Sequence, residues 1–136
     1  MSNWLERTEL LIGKEALDKL QNSHVLVVGL GGVGSYAAET MVRSGIGKIT
    51  IVDGDDVDPS NKNRQLQALD STAGLQKAEV LRQRFLDINP DLDITVYDQF
   101  MTPEAMEEFL RGSNFDFAMD CIDSITPKLT FILILR

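Results

Sequence analysis

The segment "VVGLGGVGS", residues 27–35, constrains the fold of this chain more than any other. The apolar run before it predicts a buried parallel strand, and the residues after it predict a helix over about 33–44. Gly29, Gly31 and Gly34 give the pattern GxGxxG at this strand-to-helix turn. There the first glycine permits a tight bend, the second admits a phosphate and the third lets helix and strand pack closely. The turn therefore predicts a nucleotide site, because helix N–H groups and the helix dipole favour an anion.

The rest of the chain alternates strands and helices. One or two helical turns, interrupted near Gly13, precede the first strand, and the helix "TPEAMEEFLRG" opens with a Thr102 N-cap followed by Pro103. The order β-α-β-α-β-α-β predicts an α/β fold, a Rossmann-like, mostly parallel sheet with helices on both faces. With 136 residues we expect one domain, comprising an N-terminal helical segment at 1–22 and a nucleotide-binding core at 23–136.

Three pieces of sequence fall just after predicted strands, and they should meet at the carboxyl edge of the sheet, where such folds bind ligands. They are the glycine turn, the loop that begins at Asp53, and Asp123. Asp53 lies 19 residues beyond Gly34, a position from which a carboxylate accepts hydrogen bonds from ribose hydroxyls. These features predict nucleotide binding but do not distinguish NAD from ATP.

The long polar loop "GDDVDPSNKNRQLQALDSTAG" favours a triphosphate. With the helix after it, the loop brings cationic and amide side chains beyond the ribose strand, namely Asn61, Asn63, Arg64, Gln65 and Lys77. Arg64 offers a planar fork of donors and Lys77 a compact charge, as the β- and γ-phosphates require. Asp123 is suited to hold Mg²⁺ against the phosphates. The alternatives are a glycine turn that serves packing alone and cations that are ordinary solvated surface charges.

Composition excludes several classes of function. The net charge of −8, from 21 acidic and 13 basic residues, argues against nonspecific binding to a nucleic-acid backbone. Cys121 is the single cysteine, and a single cysteine fits a reducing compartment and a cytoplasmic location. We expect Cys121 to be a small buried residue inside the last predicted strand. The N-terminus does not resemble a signal peptide, and the apolar run at 129–135 is too short to span a membrane.

The motifs "GLGGVGS", "IVDGD", "SNKNRQ", "GLQKAEV" and "DCIDS" occur in an order and spacing that resemble the E1-like adenylating superfamily, the ThiF-type enzymes, from Arg7 to Lys128. Within it, "RTELLIG" and "VDPSNKNRQLQAL" are most similar to the tRNA threonylcarbamoyladenosine dehydratases. The resemblance implies the N-terminal part of an E1-like fold and a set of nucleotide-binding positions: Gly29, Gly31, Gly32, Gly34, Ser35, Asp53, Asp55, Ser60, Asn61, Arg64, Gln65 and Lys77. The implied catalytic positions are Arg7, Arg64, Lys77 and Asp123, with Asp123 also the magnesium ligand and Arg7 reaching into the partner's site of a homodimer.

The resemblance also implies a reaction. A substrate carboxylate attacks the α-phosphorus of ATP, expels pyrophosphate and becomes a mixed anhydride with AMP. In the dehydratases this carboxylate belongs to a threonylcarbamoyl group on tRNA, and attack within that group closes a ring. Family members are longer, so we expect a shortened chain that dimerises near "FILIL" and that binds ATP without turning it over.

Three alternatives stay open. The first is adenylation of the C-terminus of a ubiquitin-like sulfur-carrier protein, with a sulfur-transfer protein as partner. The second is an NAD-binding oxidoreductase domain, and the third is an oligomerising nucleotide binder without activity.

Overall fold

The computed structural model describes residues 3–123 and 125–135. Four residues of the predicted domain, among them Ser124 of the "DCIDS" motif, lie outside the described residues; the others are Met1, Ser2 and Arg136. The helices are α1 Glu6–Ile12, α2 Lys14–Gln21, α3 Gly34–Arg43, α4 Lys77–Ile88, α5 Pro103–Arg111 and α6 Ile125–Ile134. The strands are β1 His24–Val28, β2 Lys48–Val52, β3 Asp93–Tyr97 and β4 Phe117–Asp120.

The four strands form one parallel sheet in the order β3-β2-β1-β4. Its register pairs Val28 with Val52 on one side and with Asp120 on the other, so three strands end level with one another. The predicted α/β fold with a parallel sheet is therefore confirmed. The level ends bring the glycine turn, the loop after β2 and the turn after β4 to one edge.

Both faces of the sheet are covered by helices, as predicted. Along β1, Val25 and Val27 face one core with Leu81 and Phe85 of α4, among others. Leu26 and Val28 face the other core, which α5 and α6 complete. This strict alternation follows from the two-residue period of a strand, and burial on both faces explains why β1 is apolar from Val25 to Val28.

The helix that follows the glycine turn, α3, runs over Gly34–Arg43 and confirms the prediction of a helix at about 33–44. The start of α5 is also as predicted, since the Thr102 hydroxyl oxygen accepts from the Ala105 N–H at 3.1 Å and Pro103 is the first helical residue. Within residues 3–123 and 125–135, no helix has the length and apolar composition needed to cross a membrane.

The placement of Cys121 inside the last strand is wrong, because β4 ends at Asp120. The Asp120 carboxylate accepts from the Ile122 N–H at 3.1 Å and turns the chain, although the Cys121 N–H still donates to Val28 at 2.9 Å. Such a local bond between a side chain and the backbone competes with continuation of a strand. Cys121 is half-buried rather than buried, and burial is the main reason that the pKa of its thiol is raised.

Candidate nucleotide-binding site

The glycine turn between β1 and α3 requires glycine at two positions for reasons of space. Gly29 has a φ of 92°, and a Cβ there would lie 2.5 Å from the carbonyl oxygen of Cys121. A Cβ on Gly34 would lie 1.6 Å from the carbonyl oxygen of Gly29, which shows how closely helix and strand approach. The turn is thus fixed against both α3 and the segment after β4.

Asp53 ties the glycine turn to the loop after β2. One oxygen of its carboxylate accepts from the Leu30 N–H at 2.7 Å, and the other accepts from the Asp55 N–H at 2.8 Å. These two amides orient the carboxylate at the end of β2, and a carboxylate with roughly four lone-pair positions keeps capacity for further donors. The geometry is compatible with the predicted contact to ribose hydroxyls.

Within the polar loop, a 3₁₀ helix that was not predicted from the sequence runs over Pro59–Asn63. Asp58 is its N-cap and accepts from the amide and hydroxyl of Ser60 at 2.8 and 2.6 Å, while the Asn61 side chain accepts from the Asp58 N–H at 2.9 Å. The two Ser60 donors hold the pKa of Asp58 below its ordinary value of 3.8, and the charge of Lys77 adds to this effect. Reciprocal capping of this kind gives the loop a defined shape.

This 3₁₀ helix delivers Arg64 and Gln65 to the glycine turn. A Cβ on Gly32 would lie 3.3 Å from Cγ of Arg64, and a Cβ on Gly31 would lie 3.6 Å from Nε2 of Gln65. The exposed Arg64 guanidinium donates to the Asn63 side chain at 2.8 Å. Arg64 and Gln65 therefore lie at the glycine turn, and their contacts with phosphate stay predictions.

The Ser35 side chain is fully buried within the turn rather than open to a ligand. Its hydroxyl donates to the Gly31 carbonyl at 2.6 Å and accepts from the Leu66 N–H at 3.4 Å. It thereby links the glycine turn to the polar loop. A direct contact between Ser35 and phosphate stays a prediction.

Lys77, the first residue of α4, is a buried cation with a loose partner. Its side chain is 6% exposed, and its Nζ lies 3.8 Å from the Asp55 carboxylate, which is 56% exposed. Among the residues that the structure describes, this is the single ion pair of Lys77. Removing an ammonium from water is costly unless close partners replace the lost solvation, and 3.8 Å exceeds a hydrogen-bond distance. Within the described residues this ammonium therefore has no anion at hydrogen-bond distance.

A cleft of about 140 Å³ opens beside the glycine turn at the ends of β1, β2 and β4. Its polar lining includes Asp53, Asp55 and Asp123, and the apolar lining includes Phe100, Met101, Met106 and Ile122. Asp123 is exposed at its rim. The apolar wall was missed by sequence reasoning, although the signal was present: "DQFM" directly follows β3 and so belongs to the same edge.

Two predicted residues lack the partners that their predicted roles require. Arg7 is exposed on α1 and, within the described residues, forms no hydrogen bond or ion pair. Asp123 has no cluster around it either, since no group of three or more metal-ligating side chains occurs in residues 3–123 and 125–135. Their roles as partner-site arginine and magnesium ligand stay predictions.

Comparison with known proteins identifies the family. The model of the ThiF family matches residues 5–131. The chain belongs to the ThiF family. This is the family that the order and spacing of the motifs in the sequence indicated.

Among ThiF-family relatives, the tRNA threonylcarbamoyladenosine dehydratase of Escherichia coli is 43% identical over 136 residues, covering 98% of this chain and 50% of that protein. The enzyme of the same name from Bacillus subtilis is 46% identical over 129 residues, covering 95% and 50%. A crystal structure of the Escherichia coli dehydratase in complex with ATP matches with a TM-score of 0.91 and 43% identity, covering 97% of this chain and 55% of that one. The chain thus spans about half the length of these relatives.

A second kind of relative is more distant. The sulfur carrier protein ThiS adenylyltransferase of Escherichia coli is 34% identical over 123 residues, covering 88% of this chain and 48% of that protein. The sequence is therefore more similar to the two dehydratases than to this adenylyltransferase.

Proposed function

We propose that this chain is the ATP-binding part of an enzyme that adenylates a carboxylate. The observation that carries the proposal is Lys77, a buried ammonium whose one ion-pair partner is 3.8 Å away. A triphosphate supplies the missing anionic oxygens, and the glycine turn at the N-terminus of α3 supplies backbone N–H groups. The relative whose crystal structure contains ATP supports the same ligand.

The proposed roles follow the positions of the side chains. Asp53 binds the ribose, while Arg64 and Lys77 neutralise the charge that develops on the phosphates when pyrophosphate leaves. The loop residues Asp55, Ser60, Asn61 and Gln65 complete the phosphate side. The apolar wall of the cleft takes the flat base, for which Phe100 and Met101 offer contact area.

Magnesium fits this site as a companion of ATP rather than as a resident ion. Asp123 lines the cleft that Asp53 and Asp55 also line, and Mg²⁺ is commonly bound by one or two carboxylates together with phosphate oxygens. Bound there, it would supply further positive charge to the leaving pyrophosphate. The direct consequence is that Mg²⁺ should bind measurably only when ATP is present.

We further propose that the substrate is the threonylcarbamoyl group of a modified adenosine in tRNA. The names of the two dehydratases from Escherichia coli and Bacillus subtilis support this choice, as do "RTELLIG" and "VDPSN" in the sequence. Adenylation of a sulfur-carrier protein is the second candidate, supported by the relative of that name at 34% identity. NAD-dependent oxidation is not retained, because the chain belongs to the ThiF family. AMP release that depends on modified tRNA, and not on a carrier protein, would decide between the two candidates in a chain of the relatives' full length.

The ATP proposal is tested by calorimetric titration of this chain with ATP and Mg²⁺. Arg64→Ala and Lys77→Ala should each weaken binding by about 1 to 3 kcal/mol, as for charge-assisted hydrogen bonds. Lys62→Ala is the matched control, because Lys62 lies in the 3₁₀ helix that directly precedes Arg64 but pairs with Asp70. Binding of NAD⁺ without binding of ATP, or equal affinity in all four proteins, would contradict the proposal.

We also propose a cytoplasmic homodimer in which Arg7 completes the partner's site. Arg7 has no partner of its own within the described residues, and the neighbouring Leu10 and Leu11 are 82% and 84% exposed. Mixing Arg7→Ala and Arg64→Ala chains tests this, because each mixed dimer regains one intact site. About a quarter of the sites should then bind ATP at parental affinity, as random pairing of two chains in a symmetric dimer requires. No recovery on mixing, or a monomeric mass in light scattering, would contradict it.

The four described strands form one sheet, and we propose that the described residues form a single nucleotide-binding domain. Limited proteolysis should then spare the segment from β1 to α6. Rapid cleavage between β2 and α4 would contradict it.

A further inference from the structure

The turn that follows β4, residues 121–123, is held by one side chain from α6. Nζ of Lys128 forms an ion pair with the Asp120 carboxylate at 2.9 Å and donates a hydrogen bond to the Ile122 carbonyl oxygen at 2.9 Å. The same carboxylate oxygen of Asp120 accepts from the Ile122 N–H at 3.1 Å. One ammonium therefore joins the end of the strand to the middle of the turn, and we call this set of contacts the Lys128 clamp.

The clamped turn forms part of the nucleotide site. The Cys121 carbonyl oxygen is the group that a Cβ on Gly29 would meet at 2.5 Å, so the turn lies directly against the glycine turn. Ile122 and Asp123 both line the cleft. A displacement of Ile122 would therefore move the cleft wall and the attachment point of Asp123 together.

Residues 121–123 belong to no helix or strand, so few backbone bonds oppose such a displacement. The Asp120 carboxylate is only 19% exposed on its side chain, so an ammonium at 2.9 Å replaces solvation that the carboxylate has lost. Hydrogen bonds to charged groups are roughly twice as strong as neutral ones, and an ammonium has three donors to distribute. One of these donors is committed to the Ile122 carbonyl oxygen, and the charge of the ammonium pairs with Asp120.

Lys128 differs in this respect from Lys77. The Lys77 ammonium is buried with one partner at 3.8 Å, whereas two oxygens at 2.9 Å bind that of Lys128. Lys77 is available to a phosphate, and Lys128 is engaged within the protein. A direct role in binding phosphate is therefore assigned to the first lysine and not to the second.

We propose that Lys128 is a positioning residue of the nucleotide site, acting through the 121–123 turn to hold Asp123 and the Ile122 wall in place. The inference rests on the proposed function, because it takes the cleft to be the ATP site. It predicts that Lys128 affects binding of ATP with Mg²⁺ more strongly than binding of ATP alone, since Asp123 is the proposed magnesium ligand.

The test compares Lys128→Met, which removes the donors, with Lys128→Arg, which keeps the charge and donors. Lys14→Met is the matched control, because Lys14 also pairs with an aspartate but does so within α2. The first readout is amide hydrogen exchange of Ile122 without nucleotide. In Lys128→Met this exchange should rise by about tenfold, the effect of losing one charge-assisted bond on a local opening, and in the control it should not change.

The second readout is calorimetric titration with ATP, once with Mg²⁺ and once with a chelator. Lys128→Met should weaken binding of ATP with Mg²⁺ by about tenfold and binding of ATP alone by less, as loss of a charge-assisted contact predicts. Lys128→Arg should restore both readouts to within about threefold of the parent, because it retains several N–H donors.

The proposal is overturned if Ile122 exchange in Lys128→Met equals that of the parent, or if its affinity for ATP with Mg²⁺ is unchanged. Equal losses with and without Mg²⁺ would also overturn it, because the effect would then not pass through Asp123. A parent chain that binds no ATP would contradict the proposed function instead. The exchange measurement would still decide in that case whether the clamp holds the turn.

Discussion

At the scale of single residues, we expect Lys77 to lower the stability of the nucleotide-free chain while it serves ATP binding. Burying this side chain costs free energy that no hydrogen bond of the ammonium offsets within the described residues, since Asp55 lies 3.8 Å away and Asp58 interacts only through its charge. Lys77→Met should therefore raise the free energy of unfolding of the nucleotide-free chain by about 1 kcal/mol, or a few degrees in melting temperature. The same variant should lose ATP binding, because a phosphate partner is gone.

Thermal unfolding with and without ATP measures both effects. Lys62→Met is the control, since the side chain of Lys62 is 41% exposed and its replacement should change neither quantity much. A Lys77→Met chain that melts below the parent would show that the buried charge is well solvated by its surroundings. In that case Lys77 would not need a further anionic partner.

At the scale of elements, the strand-turn-helix unit of β1 and α3 predicts a graded response to alanine. Gly34→Ala should unfold the chain or cost more than about 3 kcal/mol, because its Cβ would lie 1.6 Å from the Gly29 carbonyl oxygen. Gly32→Ala should cost little stability but weaken ATP binding, because its tightest contact, at 3.3 Å, would be with the flexible Arg64 side chain, and the Arg64 backbone oxygen at 3.5 Å is at an ordinary van der Waals distance. Chemical denaturation and ATP titration of both variants check this order, and equal stability of the two would refute it.

Elements were predictable where a periodic pattern coincides with a chemical boundary. The start of α5 is an example, since Thr102 and Pro103 form an N-cap and a first helical position that depend on local chemistry alone. The 3₁₀ helix Pro59–Asn63 was not predictable, because it is too short to show a periodic pattern in the sequence. It depends instead on the reciprocal cap between Asp58 and Asn61. The end of β4 was misplaced for a related reason, since a side-chain bond rather than a change in hydropathy ends it.

The same limit applies to the candidate site. The glycine turn, Asp53 and the Arg64 region were located from spacing, because parallel strands bring their carboxyl ends to one edge. The apolar wall from Phe100 and Met101 was not, since these residues matter only through the position of β3 beside β2. Burial of Lys77 likewise depends on how the polar loop folds over the start of α4, which no local pattern specifies.

At the scale of the whole molecule, the end of the sheet opposite the nucleotide site contains its single histidine. His24 Nε2 lies 2.7 Å from the Thr50 hydroxyl and Nδ1 lies 3.0 Å from the Asn114 carbonyl oxygen, with the ring tilted against Phe115 at 4.6 Å. Burial is the main cause that lowers the pKa of His24 below 6.5, and the nearby Lys48 charge adds to it. The Asn114 carbonyl and the charges of Asp93 and Asp116 oppose the shift.

A lowered histidine pKa means that the unfolded chain binds the proton more readily than the folded one. Stability from His24 is therefore complete above pH 6.5 and is lost as the pH falls through 6.5 toward the folded pKa. The carboxyl groups with lowered pKa, Glu39, Asp58 and Asp70, have ordinary values of 3.8 to 4.5 and lose their contribution at lower pH. Between pH 7 and 5.5 the melting temperature of the parent should thus fall more than that of His24→Gln. Parallel curves for the two chains would show that the strand end opposite the site tolerates a charged imidazole.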